Sequence, residues 1–304
     1  MTARALLLDA ARRLKQAGVP DAAYDAAMLL SRVTGEPPLQ LRAGFDLIVA
    51  EEQLQAFEAL MVRRMAREPL QYLLGDALFL GMPFRVRPGV LIPRPETELL
   101  ARSAIRWIAK REERKNLSGM DTPHREGKRK TRVLDLCCGS GCLGISVAKH
   151  CPAADCTLSD YSPQALAVAR ENAEQLGVRC LFLEGDLFAP MAEQRFDLIL
   201  SNPPYIPSGA CDTLQPEVCR EPRMALDGGA DGLDFYRRIA REAPAHLYSG
   251  GSVMLEVGDG EAEAVERLLL DHGARRCEAS EDFAGISRMV FADYGTFPEP
   301  WDGK

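Results

Sequence analysis

What the sequence lacks narrows its chemistry before any motif is read. No apolar stretch approaches the roughly 18 residues of a membrane-spanning helix; Leu198-Ile199-Leu200, bounded by Asp197 and Ser201, is typical. Histidine is scarce, with four in 304 residues (His124, His150, His246, His272), and none stands in a recognisable Ser/His or Cys/His setting. A base-activated nucleophile is therefore a poor basis for catalysis. The nine cysteines form no Cys-x-x-Cys pair and have no histidine beside them at ligand spacing, so reduced thiols and no metal site are expected. Positive charge is in deficit too: 44 Asp and Glu against 37 Lys and Arg give a net charge of −7. That argues against a broad phosphate-binding face, and no direct nucleic-acid partner is expected. The opening Leu6-Leu7-Leu8 is followed at once by Asp9 and Arg12-Arg13, too short and too soon charged for a secretory leader. A cytoplasmic protein, monomeric and not attached to a membrane, is the expectation.

What is present divides into three stretches. Apolar residues at three- and four-residue spacing (Leu6, Ala10, Leu14; Ala26, Leu29, Leu30; Leu54, Phe57, Leu60, Met61, Met65) predict a small helical domain over 1–70. Pro20, Pro37-Pro38 and Pro69 punctuate it. Residues 71–92 change pattern, and Tyr72-Leu73-Leu74, Ala77–Leu80 and Phe84-Arg85-Val86 read as a β-hairpin linker. The third stretch, 93–304, opens on the proline loop Leu91–Glu98 and a helix from about Glu96 to Ala109. Residues 110–130 carry eight basic and four acidic side chains and read as a charged, flexible insertion; a nucleic-acid-binding tail is the sharper alternative. Beyond Thr131, strands and helices alternate, with strands at 133–136, 157–160, 180–183, 196–200, 252–257, near 275–279 and at 287–292. Repeated βα units predict a Rossmann-like, mainly parallel, doubly wound α/β sheet.

Asp135-Leu136-Cys137-Cys138-Gly139-Ser140-Gly141 joins the first of these strands to its helix. Glycines let the backbone approach a ligand there, and the following helix offers unpaired N–H groups. Gly139-x-Gly141-x-x-Gly144, with Asp160 near the customary distance of about 20 residues, also satisfies a dinucleotide fingerprint. On that loop alone, an NAD enzyme and a methyltransferase compete. Asp135 would repel a pyrophosphate but could pair with the ammonium of a methionine moiety or order water beside it. Asp160 could accept from both ribose hydroxyls. Asp186 could accept from an adenine amino group, with Leu187 packed on the ring.

Ser201-Asn202-Pro203-Pro204-Tyr205 follows the fourth strand. A planar amide nitrogen is a weak nucleophile because its lone pair is delocalised. Hydrogen bonds from its N–H groups to the Asn202 side-chain oxygen and the Pro203 carbonyl would orient it and favour its pyramidalisation as a methyl arrives. Tandem prolines hold that carbonyl with no competing donor, and Tyr205 can pack on the flat face of the amide. Asn202, Pro203 and Tyr205 are thus the candidate catalytic residues.

With these motifs in order, the chain resembles the class I S-adenosylmethionine methyltransferases of the N5-glutamine group, and within it the release-factor glutamine methyltransferases. The resemblance rests on Glu68–Gly75, Leu91–Glu98, Asp135–Gly141, Asn202–Tyr205, Glu221–Leu226 with Gly228-Gly229, and Asp282–Arg288. It implies a seven-stranded class I methyltransferase sheet and S-adenosyl-L-methionine held by Asp135, Cys137, Cys138, Gly139, Ser140, Gly141, Asp160, Asp186, Leu187 and Asn202. It also implies an acceptor glutamine in the Gly-Gly-Gln loop of bacterial class 1 peptide-chain release factors, contacted by Asn202, Pro203, Pro204, Tyr205, Arg94 and Glu96, with the helical domain meeting the release factor. Asn-Pro-Pro-Tyr is shared with DNA amino-methyltransferases and does not by itself fix the acceptor. A ribosomal-protein glutamine is the other protein acceptor to weigh. Cys137-Cys138 and the length of 110–130 depart from the family pattern.

Overall fold

The computed structural model describes residues 2–43, 47–117 and 129–295. The chain divides into two compact units. The first comprises Met1–Ala77, Val86–Pro88 and, unexpectedly, Leu214–Glu221. Its helices are α1 (Ala3–Gln16), α2 (Ala22–Thr34), α3 (Pro38–Ala43), α4 (Glu51–Met65) and α5 (Leu70–Leu74). The Thr2 hydroxyl caps α1 by accepting from the Ala5 N–H. The periodic positions Leu6, Ala10, Leu14, Ala26, Leu29, Leu30, Phe57 and Met61 all bury in one core.

The short helix α5 corrects the expectation that the extended linker begins at Gln71. Pro69 precedes its first turn, Gly75 ends it in the left-handed region at φ +87°, and Leu70 and Leu73 complete the helical core. The hairpin itself is confined to β1 (Asp76–Phe79) and β2 (Met82–Arg85).

Buried charge holds the Leu214–Glu221 segment in this unit. The Arg64 guanidinium donates to Asp25 at 2.7 Å and reaches Glu217 at 2.8 Å, while Arg67 grips Glu217 through two 2.6 Å bonds. Burial opposes ionisation of Glu217, but the hydrogen bonds from Arg67 and Arg64 bring its carboxyl down to about 2. At Asp25 burial wins, and its carboxyl is raised.

The second unit holds the sheet. Helix α6 (Thr97–Leu117) precedes β3 (Thr131–Leu136), α7 (Cys142–His150), β4 (Ala154–Asp160), α8 (Pro163–Gln175), β5 (Leu181–Glu184) and β6 (Phe196–Ser201). Then come α9 (Asp234–Glu242), β7 (Leu247–Glu256), α10 (Ala262–Asp271), β8 (Arg276–Glu281) and β9 (Ser287–Asp293). The strand order is β5-β4-β3-β6-β7-β9-β8, with β9 antiparallel to both neighbours. This is the seven-stranded, mainly parallel α/β sheet of the class I methyltransferase type. Side chains of α6, α7 and α8 cover one face, and those of α9 and α10 the other.

Helix α6 runs past Ala109 to Leu117, so the first residues of the expected flexible insertion are helical. Two basic residues of that expected insertion serve the sheet, since Arg111 and Arg129 both donate to Asp197, which is fully buried near the start of β6. Residues 118–128, the centre of the expected insertion, lie outside the described residues.

Register positions the site. Leu136 of β3 pairs with Ser159 on one side and Ser201 on the other. The loop after β3 therefore emerges between Asp160 and Asn202. Strand order reverses at this point, where open α/β sheets bind ligands beyond the carboxyl ends of their strands.

Candidate active site

A cavity of about 450 Å³ opens at that edge, within the ~300–1,000 Å³ usual for small-molecule sites. Its walls include Asp135, Cys137, Cys138, Gly139 and Ser140 from the loop after β3, then Asp160, Asp186 and Asn202 from the three flanking strand ends. Arg94, Thr97 and Pro204 complete one side.

The loop is a sequence of left-handed turns, with φ near +57° at Cys137, +55° at Gly139 and +79° at Gly141. Gly141 itself faces packing rather than the cavity. A Cβ there would come within 2.6 Å of Ile145 and 3.1 Å of Ala169, so the glycine lets α7 pack against α8. Asn172 of α8, fully buried and signalled by no motif, donates to the carbonyls of Ser140 and Arg85 and accepts from the Arg85 N–H. It ties the loop to the hairpin strand β2.

The carboxylates are partly engaged already. Asp135 accepts from the Gly144 N–H at 2.8 Å. Asp160 accepts from Gly139 through one oxygen and from Ser162 through the other, both at 2.8 Å. Each carboxylate oxygen has a second lone pair, so Asp160 can hold the loop and still accept from two hydroxyls. Asp186 pairs with Arg238 of α9 at 2.8 Å, a partner the sequence did not reveal. Leu187 departs from the sequence expectation: its side chain is buried among Leu134, Leu136 and Met191, and it does not line the cavity. A positive φ of 47° at Leu187 turns the chain so that the side chain points into the sheet's core.

Of the Asn202–Tyr205 tetrapeptide, Asn202 and Pro204 line the cavity, whereas the buried Pro203 and the half-buried Tyr205 do not. The Asn202 side-chain N–H donates to the Thr97 hydroxyl at 3.2 Å. Tyr205 donates through its hydroxyl to Glu256 at 3.4 Å, at the end of β7. The following residues are clamped by a short parallel bridge: Ile206 donates to the Leu226 carbonyl, and Gly228 donates back to that of Ile206, both at 2.8 Å. A Cβ on Gly228 would lie 2.8 Å from the Pro204 oxygen and 2.7 Å from the Tyr205 Cα. The Gly228 position was readable as a motif but not as this backbone contact. Glu96 is exposed and outside the cavity lining, because α6 starts at Thr97 and leaves Glu96 on the preceding turn. Asp282 and Arg288 pair at 3.2 Å around the turn between β8 and β9.

Burial dominates the electrostatics. It pushes the Asp135 carboxyl up to about 7, against the Gly144 hydrogen bond and with help from the Asp160 charge. Burial likewise raises Glu256 to about 7, opposed by the hydroxyls of Thr97 and Tyr205 and by Arg288, and reinforced by Glu96. Burial also lifts the Cys142 thiol to about 12, so it lines the cavity as a neutral group. Arg238 neutralises Asp186, but Asp135 and Asp160, at the ends of β3 and β4, have only backbone N–H partners among the described residues, and acidic groups there suit a positively charged ligand and oppose a pyrophosphate. S-adenosylmethionine, with its ammonium and sulfonium, fits this donor set; a dinucleotide does not.

Both acids take up protons on folding, since unfolded carboxyls titrate near 4. Their contribution to stability is complete below about pH 4 and is lost as pH rises through about 7. The ligand-free protein is therefore expected to lose several degrees of Tm between about pH 5 and about pH 8. The Asp135→Asn/Glu256→Gln double variant should lose much less. Thermal melts across that range check this, and parallel curves for the two proteins would refute it.

Among the described residues no cluster of His, Cys, Asp and Glu is arranged to hold a metal ion. No helix among them is long and apolar enough to cross a membrane.

Comparison with known proteins agrees with this geometry. The family described as "Methyltransferase small domain" matches residues 118–229, and "PrmC N-terminal domain" matches residues 5–75. A release factor glutamine methyltransferase of Geobacter sulfurreducens is 43% identical over 91% of this chain and 91% of its own length. One of Bordetella pertussis is 40% identical over 87% of this chain and 92% of its own. Among solved structures, a T. thermophilus 16S rRNA methyltransferase in complex with AdoMet and guanosine shares the fold. It has a TM-score of 0.50 and 22% identity over 72% of this chain and 49% of that one. By its identity to full-length relatives, this chain belongs to the release factor glutamine methyltransferase family.

Proposed function

We propose that the enzyme methylates the side-chain amide nitrogen of the glutamine in the Gly-Gly-Gln loop of bacterial class 1 peptide-chain release factors. The methyl donor is S-adenosyl-L-methionine. The observation that carries the reading is Asn202 at the cavity wall, its amide N–H engaged by Thr97 so that its oxygen is left for a substrate N–H.

Asp135, Cys137, Cys138, Gly139, Ser140, Asp160 and Asp186 would hold the donor, which supplies an electrophilic methyl on a sulfonium when bound. Asn202 accepts from one amide N–H of the substrate, and the Pro203 carbonyl accepts from the other. Both interactions strengthen as the nitrogen gains positive charge, so they favour the transition state over the ground state. Pro203 and Pro204 fix the backbone that carries the second acceptor. Tyr205 packs on the amide plane, and Arg94 borders the substrate side of the cavity. No base has to act before transfer, because the nitrogen becomes acidic only as it is methylated. The helical unit supplies recognition of the release factor, and the enzyme acts as a monomer.

The test is side-by-side incubation of a release factor and a large-subunit ribosomal protein with enzyme and donor, followed by mass spectrometry. Methylation of the release factor is expected. Methylation of the ribosomal protein alone would overturn the acceptor assignment.

A further inference from the structure

We infer that Phe283, at the tip of the turn between β8 and β9, is a docking residue for the acceptor protein, its ring lying on the Gly-Gly segment that precedes the methylated glutamine. The inference rests on the proposed acceptor. Strand register fixes where the turn stands. Ser201 at the end of β6 pairs with Leu255 of β7, and Leu255 pairs with Val290 of β9. Because β9 runs antiparallel to β7, the residues ahead of Val290 lead outward beyond the carboxyl ends of β6 and β7. Met289 stands opposite Glu256, the last residue of β7, and Ser287 stands opposite Glu281, the last of β8. Residues 282–286 therefore leave the same sheet edge as Asn202–Tyr205, two strands away. At ~4.8 Å between strands and ~3.3 Å per residue along them, the tip lies on the order of 10–15 Å from Asn202. A glutamine side chain followed back through two glycines, at ~3.3–3.6 Å per residue, covers about the same distance. Those glycines carry no Cβ, so an aromatic ring can lie flat on their peptide planes.

Strand order also gives the turn a side. The donor carboxylates Asp135, Asp160 and Asp186 belong to the ends of β3, β4 and β5, on one side of β6, whereas β7, β9 and β8 lie on the other. A protein that brings a glutamine to Asn202 from the side away from the donor passes this turn. The turn is also built to hold its tip out. Asp282 accepts from the Ala284 N–H at 2.8 Å and the Ile286 N–H at 3.1 Å through one carboxylate oxygen, and from Arg288 at 3.2 Å through the other. The Asp282 N–H donates to the Ile286 carbonyl at 2.8 Å, and the Asp282 carbonyl accepts from Gly285, where a φ of +76° reverses the chain. Val257 anchors the base by donating to the Arg288 carbonyl at 2.9 Å. Phe283, Ala284 and Gly285 are exposed at the tip, Phe283 completely. One exposed apolar side chain is ordinary on a protein surface. An aromatic ring on a braced turn is different, because it loses little freedom on binding and so suits an interface anchor. None of these hydrogen bonds uses the ring, so its removal leaves the turn intact.

The test is steady-state kinetics on a full-length class 1 release factor with wild type, Phe283→Ala and Leu270→Ala. Leu270 is the control, an exposed apolar residue on α10. In Phe283→Ala, KM for the release factor should rise about 10- to 30-fold, the loss expected when an aromatic anchor is truncated. Its kcat and donor affinity should stay within about threefold of wild type, because the ring acts on acceptor binding alone. Leu270→Ala should match wild type. An unchanged KM in Phe283→Ala, an equal rise in Leu270→Ala, or a fall in kcat at constant KM would overturn the docking role. Wild-type enzyme inactive on the release factor would instead sink the functional reading and this contact with it, a result separable from any ratio between variants.

Discussion

Replacing Asn202 with alanine is expected to lower kcat on a release factor by about 10²–10³, the range for removal of one preorganised group that favours the transition state. Donor affinity should stay within about threefold of wild type, because the side chain offers its oxygen to the acceptor rather than to the donor. The reason lies in the site's construction. Asn202 sits one residue beyond β6, whose last residue, Ser201, is in register with Leu136 and donates to its carbonyl at 2.8 Å. The strand pairing that places Asn202 survives truncation of its side chain. What is lost is the oxygen that Thr97 leaves facing the cavity. Single-turnover kinetics with calorimetric measurement of donor binding would check this. Wild-type turnover in the variant would remove the amide clamp from the mechanism, and lost donor binding would reassign Asn202 to the donor.

The second large effect is expected at a residue with no functional group. Gly228→Ala places a Cβ 2.6 Å from the Gly232 oxygen, 2.7 Å from the Tyr205 Cα and 2.8 Å from the Pro204 oxygen. All three are backbone atoms, so no side-chain rotation relieves the contact. The tetrapeptide has to move, and a displacement of about an ångström at a positioned acceptor costs on the order of 10²-fold in rate. Overpacking should also lower stability by about 1–3 kcal/mol. Gly209→Ala, in the same long loop, is the control: a Cβ there meets nothing within 4 Å. Gly228→Ala kinetics and melting indistinguishable from Gly209→Ala would refute the importance of this contact.

The parts of this molecule legible in its sequence are those encoded locally. Leu6, Ala10 and Leu14 repeat on one helical face and are buried on it. The strand–loop–helix at Asp135–Gly141 and the tetrapeptide after β6 are contiguous, so their position at the sheet edge could be read from the chain. What could not be read joins distant segments. Thr97 meets Asn202 across 105 positions, and at the head of a helix it reads as no more than a cap. Asn172 reaches back 87 residues to Arg85 from the middle of an ordinary amphipathic helix. Glu217 belongs to the helical unit through a pairing with Arg67 that spans 150 residues. Where expectation and structure differ, tertiary packing decides a local conflict. Gln71–Leu74 has the apolar density of a strand, but Leu70 and Leu73 are needed by the helical core and Gly75 allows the helix to end. Leu187 follows a strand-end acid and so is expected on a ligand, but its left-handed backbone sends it into the sheet's core.

The mechanism requires that Asn202-Pro203-Pro204-Tyr205 present a glutamine amide nitrogen of a release factor to a methyl donor. The decisive measurement is tandem mass spectrometry of a class 1 release factor after incubation with this enzyme and isotopically labelled S-adenosylmethionine, with the Asn202→Ala enzyme in parallel. One labelled methyl is expected on the side-chain amide of the Gly-Gly-Gln glutamine with the wild-type enzyme, and almost none with the variant. Label on any other residue, or equal labelling by both enzymes, would contradict it.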